Sequence, residues 1–178
     1  MTMIKLFFDG TPVKFETTTF PDGTSQVWKL SHQPVDHNDI DIVWLFENEA
    51  ELFHVCQLAQ LIQNMNDSVD LQLVVPYLPY GRQDKAVSNK ATFALQTFSD
   101  ILYNINVCRV ESFDPHSKES SIVMPHDSAY KMPSVKEFHD SILDLGQHDV
   151  ICYPDAGAAS RYKKGFYGIP VVYCGKVS

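Results

Sequence analysis

The sequence predicts an α/β protein: an open, mainly parallel sheet with helices on both faces, entered through an antiparallel hairpin. Three observations carry this expectation. Short β-branched runs alternate with segments of helical apolar spacing, the opening residues fold back around Asp9-Gly10, and the most polar Pro- and Gly-containing segments directly follow the runs.

Taken in order, Ile4–Phe8 and residues 13–16 flank Asp9-Gly10, a dipeptide that tolerates positive φ and suits a tight hairpin. A third strand is expected at 26–30. Residues 41–46, Asp-Ile-Val-Trp-Leu-Phe, form a nearly continuous apolar run, the pattern of a central parallel strand buried on both faces. Leu52, Val55, Leu58, Ala59, Ile62 and Met65 then recur at helical spacing, with Asn48 placed to cap the start. The strand and helix pattern repeats at 71–75 and at Phe93, Ala94, Phe98, Ile101 and Leu102. Val107–Phe113 is a further strand, interrupted by Arg109 and Glu111. Ser134-Val135-Lys136-Glu137 is a capping box, followed by Phe138, Ile142 and Leu143 on one helical face. Residues 150–153 form the next strand, Tyr162 and Phe166 a short helix, and 171–174 the last strand.

With 178 residues the chain is sized for one domain, or one domain and part of another. Its 44% apolar content fills a core, and 20% charged residues argue against intrinsic disorder. A formal charge of −8 disfavours nucleic acid and anionic membrane as partners. No run approaches the roughly 18 apolar residues of a membrane helix, and no targeting segment is visible, so a cytoplasmic protein is expected. Cys56, Cys108, Cys152 and Cys174 are widely spaced, which predicts four buried thiols rather than zinc ligands or disulfides.

In open α/β sheets ligands bind beyond the carboxyl ends of the strands, and three polar segments fall there. The first, residues 76–85, sets Arg82, Gln83, Asp84 and Lys85 on a loop shaped by two prolines and a glycine. Arginine and lysine hold phosphate oxygens, while an amide and a carboxylate take sugar hydroxyls or base edges. In the second, Asp114-Pro115-His116, a carboxylate and an imidazole can both reach a divalent ion, or His116 can move a proton. In the third, Asp155-Ala156-Gly157-Ala158, small residues at a helix start let amides approach a phosphate, or Asp155 caps the helix. Each also reads as an ordinary polar loop, but their convergence points to a nucleotide or sugar-phosphate site. Phe20, beside the turn 20–23, is free to stack or belongs to the core; Tyr77 and Tyr80 read as packing and loop-anchoring residues. The remaining histidines, His32, His37, His54, His126, His139 and His148, share no metal spacing.

These segments resemble ribose-phosphate pyrophosphokinase, also called phosphoribosyl pyrophosphate synthetase. Residues 74–85 are similar to that family's Arg-Gln-Asp segment, 113–116 to its Asp-x-His metal segment, 153–158 to its Pro-Asp-x-Gly-Gly loop and 20–23 to its Phe-x-(Asn/Asp)-x-Glu turn, all in family order. The resemblance implies a phosphoribosyltransferase-like sheet in a domain spanning 1–147, with 148–178 opening a second. It implies transfer of the β,γ-diphosphoryl group of ATP to ribose 5-phosphate, giving phosphoribosyl pyrophosphate and AMP for nucleotide or NAD synthesis. By the same carry-over Arg82, Gln83 and Asp84 bind ATP, and Phe20 and Asp22 meet adenine across a homo-oligomer interface. His116, Asp155 and Asp114 bind Mg²⁺; His116 and Lys176 serve catalysis. The sequence departs from the family at Thr24 (glutamate there), Pro115 (aliphatic), Ala158 (glycine) and Ser178 (arginine). The family's Asp-Asp-x-x-x-Thr-x-Gly-Thr loop for ribose 5-phosphate has no counterpart here, so this chain alone is expected to be incomplete as an enzyme. A non-catalytic ATP-binding or associated subunit is the competing class.

Overall fold

The computed structural model describes residues 3–34, 37–117, 120, 123–125, 129–131, 150–162 and 169–175. They fall into two compact units, Met1–Lys131 and Met132–Ser178.

In the first unit β1 (Ile4–Phe8) and β2 (Thr11–Val13) make the expected hairpin. Asp9 and Gly10 sit at φ 46° and 78°, the paired positive values of a turn whose twist matches its strands. β2 stops before the expected Glu16, because Lys14 exchanges backbone and side-chain hydrogen bonds with Ser31 at 2.8 and 3.0 Å and leaves the sheet. Glu16 instead opens β3 (Glu16–Thr19), a strand not expected, which pairs antiparallel with β4 (Ser25–Trp28) in a separate two-stranded ribbon.

The main sheet continues through β5 (Asp39–Trp44), β6 (Asp70–Val74), β7 (Val107–Phe113) and β8 (Ala129–Lys131), in the order β2, β1, β5, β6, β7, β8. β5 to β8 are parallel and β1 runs antiparallel to β5, so β5 is the strand at which direction changes. It is not buried on both faces as its apolar run suggested: Ile40, Ile42 and Trp44 are fully buried, while Asp41 and Val43 are half-buried.

Strand periodicity explains the core. Leu6, Ile42, Leu73 and Val110 stand in one row across four strands and share a face. Against that face lie Val55, Leu58, Ala59 and Ile62 of α1 (Ala50–Met65) and Leu95, Phe98 and Leu102 of α2 (Ala94–Asn104), in one continuous cluster. Both crossovers advance across the sheet in the same direction, which with right-handed connections puts both helices on the same side. Asn48 meets its expected role one position early: its Oδ1 accepts the Ala50 amide at 3.1 Å while Glu49 occupies the cap position without a side-chain bond. The Glu51 carboxylate folds back to accept the Glu47 amide at 3.0 Å and the Trp44 indole at 2.9 Å, tying the helix start to the end of β5.

The second unit contains β9 (Ile151–Tyr153), α3 (Ala156–Tyr162) and β10 (Val171–Tyr173), the two strands parallel. α3 begins earlier than the expected position around Tyr162 because Asp155 caps it; Phe166, the helix expected after Ser134 and the boundary at Gln147 lie outside the described residues. The expectation of four buried thiols fails: Cys56 is half-buried, and Cys108, Cys152 and Cys174 are exposed, all four unbridged. These three lie on a β-bulge, a short strand and a strand end, where no second layer covers them among the described residues.

Candidate functional site

At the carboxyl ends of β6 and β7 the chain keeps the two strands zipped beyond their formal limits. The Val75 amide donates to Glu111 O at 2.8 Å and the Phe113 amide to Pro76 O at 3.0 Å. The loop after Pro76 then closes two tight turns, Gly81 N to Leu78 O at 3.2 Å and Gln83 N to Tyr80 O at 2.8 Å. Tyr80 takes φ 60° there, an unfavourable conformation for a bulky residue, and its surroundings hold it. Its ring packs on Phe98 at 5.5 Å and its hydroxyl donates to Glu49 Oε1 at 3.0 Å. Burial, with the Glu49 charge, pushes the Tyr80 phenol up. Gly81 eases a close approach, since a Cβ there would meet Leu78 O at 3.1 Å and the turn would have to give by a few tenths of an ångström. The Leu95 amide reaches Gln83 O at 3.2 Å and fixes the loop to the start of α2. Tyr80 therefore anchors the loop as expected, whereas Tyr77 is 61% exposed and touches only the Phe46 ring, at 5.9 Å, among its aromatic neighbours.

This framework presents three consecutive side chains differently. Arg82 and Gln83 are exposed; Asp84 is buried, at 9% of its free surface. The Ser117 hydroxyl beside it is the main influence holding the Asp84 carboxyl below the usual carboxylate range, with Lys85 and His116 adding positive potential. Ser117 Oγ is itself buried and completes no hydrogen bond of good geometry. The loop at the end of β6 and the loop at the end of β7 thus meet through Asp84, Ser117 and His116. Asp114, half-buried, takes φ 48° at the turn that leads to them.

Phe20 is elsewhere in this unit, at the tip of the β3–β4 ribbon. Its amide donates to Thr24 O at 2.8 Å and its carbonyl accepts from Gly23 at 2.9 Å, with Gly23 at φ 85°. At 40% exposure Phe20 is not a core residue. Asp22 Oδ1 accepts from the Thr24 hydroxyl at 2.7 Å and the Thr24 amide at 3.0 Å, which lower its carboxyl. The ribbon is seated on α1 by Gln57, which accepts the Val27 amide at 2.8 Å and donates to Ser25 O at 3.0 Å, while Ser25 Oγ and His54 Nε2 are 2.7 Å apart.

In the second unit Asp155 follows β9, and its Oδ1 accepts the Ala158 amide at 2.8 Å. A Cβ at Gly157 would meet that same oxygen at 3.1 Å, so the glycine makes room for the cap. Lys176 lies outside the described residues. Among the described residues no three His, Cys, Asp or Glu side chains converge as a metal cage.

No family model matches the chain. Ribose-phosphate pyrophosphokinase of Saccharolobus solfataricus is 25% identical over 162 residues, covering 85% of this chain and 52% of that protein. Ribose-phosphate pyrophosphokinases 4 and 2 of Saccharomyces cerevisiae are each 27% identical over 112 residues, 62% of this chain. Over most of its length the chain is similar to ribose-phosphate pyrophosphokinases. The fold agrees: phosphoribosylpyrophosphate synthetase from Mycobacterium smegmatis superimposes with a TM-score of 0.78 at 16% identity, covering 96% of this chain and 58% of that one. The chain spans about half the length of the archaeal relative, 52%.

Of the segments that carried the pyrophosphokinase resemblance, 74–85 and 113–116 meet at Asp84 and His116, 20–23 is the tip of the ribbon, and 153–158 belongs to the second unit. Sequence reasoning passed over Ser117, Glu49 and Gln57. Ser117 sat next to a singled-out histidine, the only signal available; Glu49 and Gln57 act across the fold and had none.

Proposed function

We propose that the chain contributes the nucleotide-handling region of a ribose-phosphate pyrophosphokinase, which moves the β,γ-diphosphoryl group of ATP to the 1-hydroxyl of ribose 5-phosphate and releases AMP. The observation that supports it best is Asp84: a buried carboxylate favoured in its charged form, pressed between the β6 and β7 loops, with the exposed Arg82 guanidinium two residues away. A rigid loop that offers a cation, an amide and an anion in sequence suits a nucleoside triphosphate. Arg82 meets phosphate oxygens, while Gln83 and Asp84 take donors from sugar or base. Phe20 and Asp22, at an exposed ribbon tip, serve the adenine of a neighbouring copy.

Mg²⁺ fits this arrangement without a cage, because it keeps several waters and binds through one or two protein groups together with substrate phosphates. His116 and Asp114 of the first unit are the residues that would hold it, and when bound it would neutralise phosphate charge; Asp155 is assigned to it by the resemblance alone. Lys176 is assigned to the transferring group by the resemblance alone. Diphosphoryl transfer needs mainly positioning and charge neutralisation, and the side chains named supply both. Such a reaction serves nucleotide or NAD synthesis, and we place the protein in the cytoplasm on that ground.

Calorimetric titration with a non-hydrolysable ATP analogue, with and without magnesium, tests this. Loss of a charge-assisted contact costs about 1.5–3 kcal/mol, tenfold or more in affinity. Arg82→Ala should weaken binding at every magnesium concentration, and His116→Ala mainly the magnesium-dependent part. Wild-type affinity in both variants would return these residues to the role of surface polar groups.

A further inference from the structure

We infer that Cys152 and Cys174 are a modification site, a spatially adjacent thiol pair that a hydroperoxide converts into a disulfide joining the middle of β9 to the residue after β10. The strand register brings them together. β9 and β10 are parallel with Cys152 opposite Val172, and Cys174 stands two residues beyond Val172, on the same face of the ribbon as Cys152. Both residues also converge on one carbonyl: Tyr153 O accepts the Cys174 amide at 3.0 Å and lies 3.9 Å from Cys152 Sγ. Both are exposed, so a small oxidant reaches them. Cys174 is the chief neighbour of the Cys152 thiol and pushes it up, as a second sulfur close by does.

With parallel strands about 4.8 Å apart and a rise of about 3.3 Å per residue, a two-residue diagonal is roughly 8 Å at Cα, and a disulfide needs about 4.4–6.8 Å. The deficit is small, and Cys174 follows the last residue of β10, where the backbone can draw in. In the first step one thiol gives up its proton and its sulfur attacks a peroxide oxygen; the O–O bond breaks, the expelled hydroxide takes that proton and leaves as water, and a sulfenic acid forms. The second thiol then attacks that sulfur, the S–S bond forms, the S–O bond breaks and a second water leaves. Two thiols are oxidised and one hydrogen peroxide is reduced to two waters.

Cys56 and Cys108 belong to the other unit, and Cys108 donates its thiol hydrogen to Leu71 O at 3.2 Å within the sheet. They serve as internal controls. The reduced full chain is treated with hydrogen peroxide, free thiols are alkylated, and tryptic peptides are mapped without reductant; Arg161, Lys163 and Lys164 separate Cys152 from Cys174. The expected product is a cross-linked Cys152–Cys174 peptide from monomeric chain, lighter by two hydrogens and restored by dithiothreitol. It should vanish in Cys152→Ser and in Cys174→Ser and persist in Cys108→Ser. If both thiols stay alkylatable while Cys108 oxidises, or each proceeds separately to a sulfinic acid, or the bond forms only between chains, the pair does not exist as inferred. The outcome is independent of nucleotide binding.

Discussion

Asp84 combines burial with a preference for the ionised form, and that combination has a pH dependence of known sign. Its carboxyl titrates lower in the folded chain than in the unfolded one, chiefly through Ser117. The ionised group therefore contributes stability that is fully present above the ordinary carboxylate value near 3.9 and is lost as pH falls through the lower folded value. Side-chain carbonyl NMR should show Asp84 midpoint below that of an exposed aspartate, and Ser117→Ala should bring it back toward the ordinary value. A midpoint unmoved by Ser117→Ala would remove the hydroxyl from the account. At this scale the sequence singles out residues by chemical type and position. Arg82-Gln83-Asp84 and His116 announce themselves by type and by placement after β-branched runs, whereas a serine is common in every loop and Ser117 became visible only through what it touches.

The β3–β4 ribbon is the element that sequence reading handled worst. Glu16-Thr17-Thr18-Thr19 has no apolar alternation, only the β-branched threonines to mark it as a strand, and its partner was expected at 26–30, one residue late at the start and two at the end. Its attachment is equally unreadable, because one glutamine amide on α1 satisfies two backbone groups of β4, as a neighbouring strand would. The buried Val27 amide loses its acceptor in Gln57→Leu, which should cost about 1–3 kcal/mol in denaturant unfolding. Hydrogen exchange at Val27 should accelerate while amides in the middle of β6 hold. Unchanged exchange at Val27 would mean that Ser25 and His54 suffice to seat the ribbon. Helix α1, by contrast, was legible almost to its ends, since its apolar residues recur at a spacing that only a helix places on one face.

For the whole molecule, the alternation of strand and helix patterns was enough to give the parallel strands β5 to β7 and the helices between them, whereas β8, three residues at 129–131, was not expected. The alternation did not give the polarity change at β5, since a strand paired parallel on one side and antiparallel on the other has the same residue pattern as any half-buried strand. If the ribbon tip completes a nucleotide site on a second copy, the chain should sediment as a dimer or larger at tens of micromolar, and Phe20→Ala should weaken ATP-analogue binding without lowering the thermal midpoint. A strict monomer, or a variant that unfolds, would count against the shared site.

β2 bears on assembly in another way. It closes the sheet on the side of β1 with only three residues, Thr11-Pro12-Val13. An open strand margin is a template on which further chains can add indefinitely, and a residue without an amide hydrogen interrupts that template. Pro12→Thr should restore the missing donor and turn a protected border into an adhesive one, seen as time-dependent light scattering and thioflavin fluorescence at concentrations where the parent stays clear. A parent that stays clear only while this proline is kept would give the position a part in solubility that no ligand contact reveals; equal clarity in the variant would deny it one.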